Sequence, residues 1–167
     1  MTLRRKAVLA AVVAALAALG VAQAAMGQTS GPSSVFDGTN GPELISGTDA
    51  ARGEFIQARG GNDRVNGLGG DDRIIGGRGD DLLFGGRGND LVLGGSGDDA
   101  ISGGFGRDSV NGGAGRDDLF TGFGNDYVAS SGNGVDHVDC GPGSGDYVLA
   151  DRNDQIVNCE QVVFATR

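Results

Sequence analysis

The chain has 167 residues, including 34 glycines and no tryptophan, and its formal net charge is −9. The length suits one domain, and the scarcity of aromatic residues (5%) predicts a poor conventional core. Nucleic acid is disfavoured as a partner because phosphate binding requires clustered positive charge. The acidic balance instead favours a cationic partner, and a metal ion is the smallest of these.

Residues 1–24 have the layout of a secretory signal peptide. A basic start at residues 4–6 precedes an apolar run over residues 7–21, and residues 22–24 (AQA) supply a small-x-small cleavage pattern. The run is shorter than the roughly 20 residues of a membrane-spanning helix. An uncleaved anchor is the alternative. Because no second apolar stretch follows, we expect a secreted, extracellular mature protein that does not span a membrane.

Residues 25–37 are mostly small and polar, and they predict a flexible lead-in. Residues 38–57 hold two degenerate copies of a nine-residue pattern that becomes regular from residue 58 onward. These copies place Glu43 and Glu54 where the regular copies have an aspartate. Terminal repeats are usually atypical, so we interpret residues 38–57 as an N-terminal cap.

Residues 58–129 repeat one nine-residue pattern eight times without an insertion, and the cleanest copy, GGRGDDLLF, spans residues 76–84. Glycine recurs at the fourth place and a branched aliphatic residue at the eighth. An aspartate occupies the sixth place of every copy: Asp63, Asp72, Asp81, Asp90, Asp99, Asp108, Asp117 and Asp126. An unbroken period of this kind signals a solenoid.

The pattern suggests a loop followed by a short strand. Glycines at places one, two and four permit positive φ angles and tight turns, and places seven to nine predict a strand whose eighth residue faces the core. If two copies form one coil, every second copy stacks on the same edge. The aspartates then form two ladders, one with Asp63, Asp81, Asp99 and Asp117, and the other with Asp72, Asp90, Asp108 and Asp126.

These ladders predict a metal site. Carboxylates at the strand spacing of about 4.8 Å repel one another by roughly 1 kcal/mol or more, and a divalent cation between coils removes the repulsion. Calcium suits the pattern because it accepts about six to eight oxygen ligands in flexible geometry, whereas magnesium requires a stricter octahedron. Transition metals prefer imidazole or thiolate, which the regular repeats lack. The alternative is a metal-free coil whose aspartates are solvated turn residues.

The pattern GGxGxDxUx, in which U is a large aliphatic residue, resembles the RTX (hemolysin-type) calcium-binding nonapeptide repeat. The resemblance covers residues 58–129 and implies an all-β, right-handed parallel β-roll (a β-solenoid) with capping segments. It also implies that the eight aspartates are side-chain ligands and that glycine carbonyls complete each shell. Six pairs of these aspartates stand two copies apart, so up to about six calcium ions are expected.

Several residues depart from the pattern. Arg107 and Arg116 occupy the fifth place, where each of the other six copies has asparagine or aspartate. They are harmless if that place contributes only its carbonyl, and they weaken the later sites if its side chain takes part. Expected glycines are replaced in the first and last loops by Ala58, Arg59, Leu68 and Thr121.

Residues 130–167 are interpreted as degenerate repeats and a disulfide-linked C-terminal cap. Cys140 and Cys159 form an even pair, which implies a disulfide in an exported protein. The alternative is a zinc site that uses both thiols with His137 and Asp139, although no Cys-x-x-Cys spacing is present.

The sequence predicts a secreted calcium-binding protein whose β-roll folds on, or is rigidified by, extracellular calcium. It predicts no enzyme, because no nucleophile accompanies the single histidine, His137. The alternative is a structural or adhesive module that self-associates or binds a cell-surface partner. That module would use the outward-facing apolar residues of places seven and nine, unless the terminal segments cover them. These residues are Ile75, Leu82, Phe84, Leu91 and Leu93.

Overall fold

The computed structural model describes residues 26–27, 34–49, 51–130, 132 and 134–165, and this part of the chain consists of strands, turns and loops. The predicted signal peptide, residues 1–24, lies outside the described residues. Within them, no helix is long and apolar enough to cross a membrane. The N-terminal strands are β1 (Met26–Gly27), β2 (Val35–Asp37), β3 (Leu44–Ser46), β4 (Phe55–Gly60) and β5 (Arg64–Gly69).

The regular repeats supply six-residue strands, and shorter strands follow them. The first group is β6 (Arg73–Arg78), β7 (Leu82–Arg87), β8 (Leu91–Ser96), β9 (Ala100–Phe105), β10 (Ser109–Ala114) and β11 (Asp118–Phe123). The second is β12 (Tyr127–Ala129), β13 (His137–Asp139), β14 (Tyr147–Ala150), β15 (Gln155–Val157) and β16 (Gln161–Phe164).

Successive strands alternate between two sheets. The even-numbered strands from β2 to β16 form one sheet in ascending order, with β1 added antiparallel at its N-terminal edge. The odd-numbered strands from β3 to β15 form the other sheet. All the remaining strand pairs of the described residues are parallel, and they build a solenoid of about seven coils. The predicted parallel β-roll is confirmed.

The register of the strands follows the period of the sequence. Ile74 pairs with Val92 and Leu83 with Ile101, each pair two copies apart and each at the eighth place. The eighth-place aliphatics are at most 1% exposed and form a single narrow core between the sheets: Val65, Ile74, Leu83, Val92, Ile101, Val110, Leu119 and Val128. Places seven and nine face outward, as predicted, and are half-buried or exposed.

The strands are longer than the pattern predicts. Each regular strand runs through places seven to nine and on into places one to three of the next copy, as β6 does from Arg73 to Arg78. The chain turns its corner at places one and two. Place two has a positive φ angle, 122° at Gly77 and 121° at Gly95, and these two residues pair in parallel, whereas the place-one residues before them do not. Arg59 and Leu68 adopt the same bend with φ of 79° and 75°.

The first coil begins earlier than expected. Val35–Asp37, which we placed in a flexible lead-in, is strand β2 and pairs in parallel with β4. Phe36 is only 5% exposed and lies one repeat length before the buried Ile45, so it fills an eighth-place position. The sequence pattern hides this copy because its sixth place holds Ser34 instead of an acid.

At the other end of the solenoid, Cys140 and Cys159 form the predicted disulfide, with their Cα atoms 5.2 Å apart. Because both sulfurs are bonded to each other, the alternative zinc site with two thiolate ligands is wrong. Residues 155–164, within the segment that we interpreted as a C-terminal cap, form β15 and β16, one in each sheet, and so add another coil.

Candidate metal centre

The sixth-place aspartates stack into the two predicted ladders and are joined by hydrogen bonds between coils. The backbone N–H of Asp63 donates to Oδ1 of Asp81 at 2.8 Å, and the N–H of Asp81 donates to Oδ1 of Asp99 at 2.9 Å. The same bond joins the other four pairs at 2.8–2.9 Å. One oxygen of each carboxylate therefore satisfies a buried amide of the preceding coil.

Both ladders continue beyond the regular repeats. At the N-terminal end, the amides of Glu43 and Glu54 donate to Asp63 and Asp72, each at 2.8 Å. At the C-terminal end, the bonds reach the following acids: Asp136 and Asp154 on one ladder, and Asp146 and Glu160 on the other. Our sequence interpretation missed Asp154 and Glu160. Each stands two residues before a branched aliphatic, which is the relation that every regular copy shows.

The second carboxylate oxygen of each sixth-place aspartate has no hydrogen-bond donor. In all eight residues Oδ2 is buried and has no partner within the described part of the chain, and the same is true of Asp146. The residues themselves are at most 3% exposed. A buried carboxylate oxygen without a partner is costly, and native proteins normally satisfy it with a donor, a water or an ion.

The free oxygens lie against place-one glycines, where any side chain would clash with them. At Gly76, the point where a Cβ would stand lies 2.3 Å from Oδ2 of Asp81 and 2.7 Å from the carbonyl oxygen of Gly94 on the next coil. At Gly85 the corresponding distances are 2.5 Å to Oδ2 of Asp90 and 2.6 Å to the carbonyl oxygen of Gly103. A carboxylate oxygen and a carbonyl oxygen of successive coils thus lie beside the same glycine, which must lack a side chain.

This set of donors suits a hard cation such as calcium, which takes carboxylate and carbonyl oxygens together. Within the described residues, no three acidic, histidine or cysteine side chains come together to hold a metal ion. A cation at the ladder would therefore depend on backbone carbonyls as much as on aspartates. The residues fit calcium and offer neither the imidazole nor the thiolate that transition metals prefer.

Burial raises the pKa of several ladder carboxylates when no cation is bound. Desolvation is the largest cause, and it raises the pKa of Asp72, Asp99 and Asp108 to about 7 despite the opposing effect of the amide hydrogen bond. Neighbouring carboxylates add to the rise. Desolvation likewise raises the pKa of Asp63 and Asp90 to about 6. Holding full negative charge at neutral pH therefore destabilises the metal-free ladder.

A second, exposed ladder runs along the fifth places. The side-chain oxygen of Asp98 accepts the backbone N–H of Arg116 at 2.9 Å, and that of Asn89 accepts the N–H of Arg107 at 2.9 Å. The two arginines thus fit the loop through their backbone amides. Their side chains offer no oxygen to the next coil, so this outer ladder of side-chain acceptors stops at each arginine.

The fold and the stacked acidic loops define the class: a parallel β-solenoid whose coils carry repeated glycine-rich acidic loops. Residues 57–92 and 93–128 each match the family model of the RTX calcium-binding nonapeptide repeat (4 copies), so this central segment of the chain consists of RTX calcium-binding repeats. The match confirms the resemblance drawn from the sequence. Comparison with curated proteins and with solved structures gave no match.

Proposed function

We propose that this chain is a secreted calcium-binding protein whose β-roll folds on, or is rigidified by, extracellular calcium. The observation that carries the proposal is the row of eight buried Oδ2 atoms that lack a partner among the described residues. A structure held only by hydrogen bonds has no reason to bury one free carboxylate oxygen in every copy.

The proposed ligands are the eight sixth-place aspartates with the glycine carbonyls of the adjoining coils. In one such step, Asp81 contributes Oδ2 and Gly94 contributes its carbonyl, while Oδ1 of Asp81 continues to hold the amide of Asp63. Calcium supplies positive charge that offsets the burial of the carboxylates. Since the two ladders offer six pairs of aspartates on successive coils, the proposal is up to about six ions.

Folding and calcium binding are coupled in this proposal because the core is thin. Each half-coil of the regular repeat buries one eighth-place aliphatic, and next to it lies one buried acid. The small free energy gained by burying these aliphatic side chains must offset both the conformational entropy lost on folding and the cost of desolvating the carboxylates. Calcium is scarce inside cells and abundant outside. Together with the basic-apolar start of residues 1–24, this supports folding after export.

Far-ultraviolet circular dichroism of the mature chain, titrated with calcium and then with chelator, tests the proposal. We expect a reversible gain of β signal or, if the metal-free chain is already folded, a large reversible rise in the thermal midpoint. If neither the spectrum nor the thermal midpoint changes on addition of calcium or chelator, calcium-driven folding is excluded and the chain is a metal-free solenoid. Magnesium at the same concentration is the control, because it prefers a stricter octahedron.

A second candidate function is a structural or self-associating module. The apolar stretch we singled out on the outer faces is only half-buried. More exposed apolar side chains lie further along the solenoid, including Phe105, Phe120 and Phe123. Sedimentation with and without calcium separates the candidates, since only this second function requires an assembly larger than one chain.

A further inference from the structure

We propose that the C-terminal end of the solenoid is a dimer interface, at which β16 (Gln161–Phe164) pairs antiparallel with β16 of a second copy of this chain about a twofold axis at Val163. This surface and this partner would serve the second candidate function, that of a self-associating module, and the pairing rests on that candidate. Pairing requires a folded last coil rather than bound calcium itself, so the dimer and the calcium function can be tested separately.

The last coil leaves the apolar core open at the C-terminal end. Val162 continues the core column, since it pairs with Val148, and Phe164 pairs with Ala150. Val148 and Ala150 are 0% exposed, whereas Val162 and Phe164 are 36% and 46% exposed. Solenoids normally cover their terminal core with a capping unit that has a polar outer face. Here the described part of the chain leaves all of β16 exposed.

The free edge of β16 carries backbone groups that can pair with another strand. Among the described strands β16 pairs only with β14. The N–H groups of Gln161 and Ala165 donate to carbonyl oxygens on the β14 side at 3.0 and 2.8 Å. Because backbone groups alternate along a strand, those of Val162 and Phe164 face away from β14. The strand, QVVF, contains neither a charge nor a proline, which commonly protect an edge from pairing.

A second copy of β16 complements this edge. In an antiparallel pair centred on Val163, Val162 of each chain lies opposite Phe164 of the other chain, and the two residues exchange both of their backbone hydrogen bonds. The twofold axis repeats this exchange, which gives about four hydrogen bonds. The same arrangement brings the two open core ends side by side, so the exposed inward-facing side chains of both chains are buried together.

The N-terminal end of the solenoid does not offer a matching surface. There β1 already pairs antiparallel with β2 at the edge of the sheet. The first core residues, Phe36 and Ile45, are only 5% and 3% exposed, so the core is closed at this end. A head-to-tail contact would set the open end of one chain against the closed end of the next and would continue into a fibre. Pairing two C-terminal ends covers both open cores and stops at two chains.

The first test measures the mass of the full mature chain in calcium by sedimentation velocity, and we expect a dimer. Val163→Lys should convert it to a monomer, because like charges directly opposite each other on paired strands repel. Val163 is 44% exposed and pairs with the outward-facing Leu149, so the far-ultraviolet spectrum should be unchanged. The matched control is Val35→Lys, which changes a 38% exposed valine at the other end of the solenoid and should leave the dimer intact.

The second test checks the register with Val163→Cys. Directly opposed residues of a non-hydrogen-bonded antiparallel pair have Cα atoms about 4.5 Å apart, which a disulfide can span. Under mild oxidation we expect a covalent dimer on a non-reducing gel, whereas Val35→Cys should give none.

The interface is overturned by a monomeric unaltered chain that shows the β signal of the folded roll, or by a dimer that survives Val163→Lys. Assemblies that grow beyond two chains with concentration indicate head-to-tail contact and also overturn it. Calcium binding is read separately by counting ions in the Val163→Lys variant, which should bind as many as the unaltered chain. A chain that dimerises but binds no calcium would refute the calcium function and leave the dimer standing.

Discussion

The two oxygens of each ladder carboxylate have separate roles. In Asp90, Oδ1 accepts the amide of Asp72 at 2.8 Å, whereas Oδ2 is buried without a donor among the described residues. Asparagine can reproduce the first role, because its side-chain oxygen accepts a hydrogen bond, but not the charge of the second. Alanine reproduces neither. Comparing the two substitutions at one position therefore separates the contribution of the aspartate to folding stability from its contribution to ion binding.

Asp90→Asn is predicted to lower calcium stoichiometry by up to two ions, because Asp90 is shared between steps toward Asp72 and Asp108. Asp90→Ala should cost the metal-free fold about 1–3 kcal/mol in addition, since the Asp72 amide is then buried and unpaired. Isothermal titration calorimetry and denaturant unfolding measure the two effects.

The control for charge loss is Asp71→Asn at the fifth place, an exposed position where other copies already have asparagine. Its side-chain oxygen would still accept the amide of Asn89, as Oδ1 of Asp71 does at 2.7 Å. We expect it to leave the stoichiometry unchanged. The shared-ligand arrangement would be refuted by an Asp90→Asn variant that binds as many ions as the unaltered chain.

At the scale of one coil, the decisive element is the corner between strand and loop. Places two and four have positive φ angles throughout the regular repeats, and there the coils pack backbone against backbone. At Gly79, a Cβ would come within 2.0 Å of the carbonyl oxygen of Gly61 on the preceding coil. Place three is different, because at Gly69 the nearest atom to a Cβ is 3.4 Å away.

Gly79→Ala is therefore predicted to destabilise the calcium-bound roll by roughly 2–4 kcal/mol, through both backbone strain and overpacking. Gly69→Ala, one half-coil earlier, should change stability by less than about 1 kcal/mol because ordinary contact distances are kept. Thermal unfolding in saturating calcium compares the pair. Equal midpoints for the two variants would show that coil spacing does not depend on place four.

Much of this element could be predicted from the sequence. The nine-residue period determines which residues lie two copies apart, so the two ladders and the core column were predicted with the correct register. It does not determine which atoms meet, and the bond from the Asp63 amide to Asp81 therefore required coordinates. The terminal coils were harder to predict because they depart from the repeat pattern. Phe36 occupies an eighth place, where the regular copies have a branched aliphatic residue. Fewer residues separate Glu160 from Asp146 than separate neighbouring acids of the regular ladder.

At the scale of the whole molecule, the net charge is −9, and the sixth-place aspartates are buried beside a thin apolar core. In the metal-free roll, burial raises the pKa of Asp63 to about 6 and that of Asp72 and Asp99 to about 7, against an ordinary value of 3.8. The folded metal-free state consequently binds more protons than the unfolded chain between pH 4 and pH 7. By linkage, its stability is fully present below the unfolded pKa and is lost as pH rises through the folded pKa.

Acid and calcium should therefore stabilise the roll in opposite pH ranges. Without calcium and in the presence of chelator, we predict a higher thermal midpoint and stronger β signal at pH 5 than at pH 8. With calcium the order reverses, because protons compete with the cation for Asp72, Asp99 and Asp108. Binding near pH 6 should accordingly release protons, which calorimetry in buffers of different ionisation enthalpy detects. If the thermal midpoint of the metal-free chain instead rises from pH 5 to pH 8, burial of the ladder carboxylates is not the main electrostatic term that destabilises this fold.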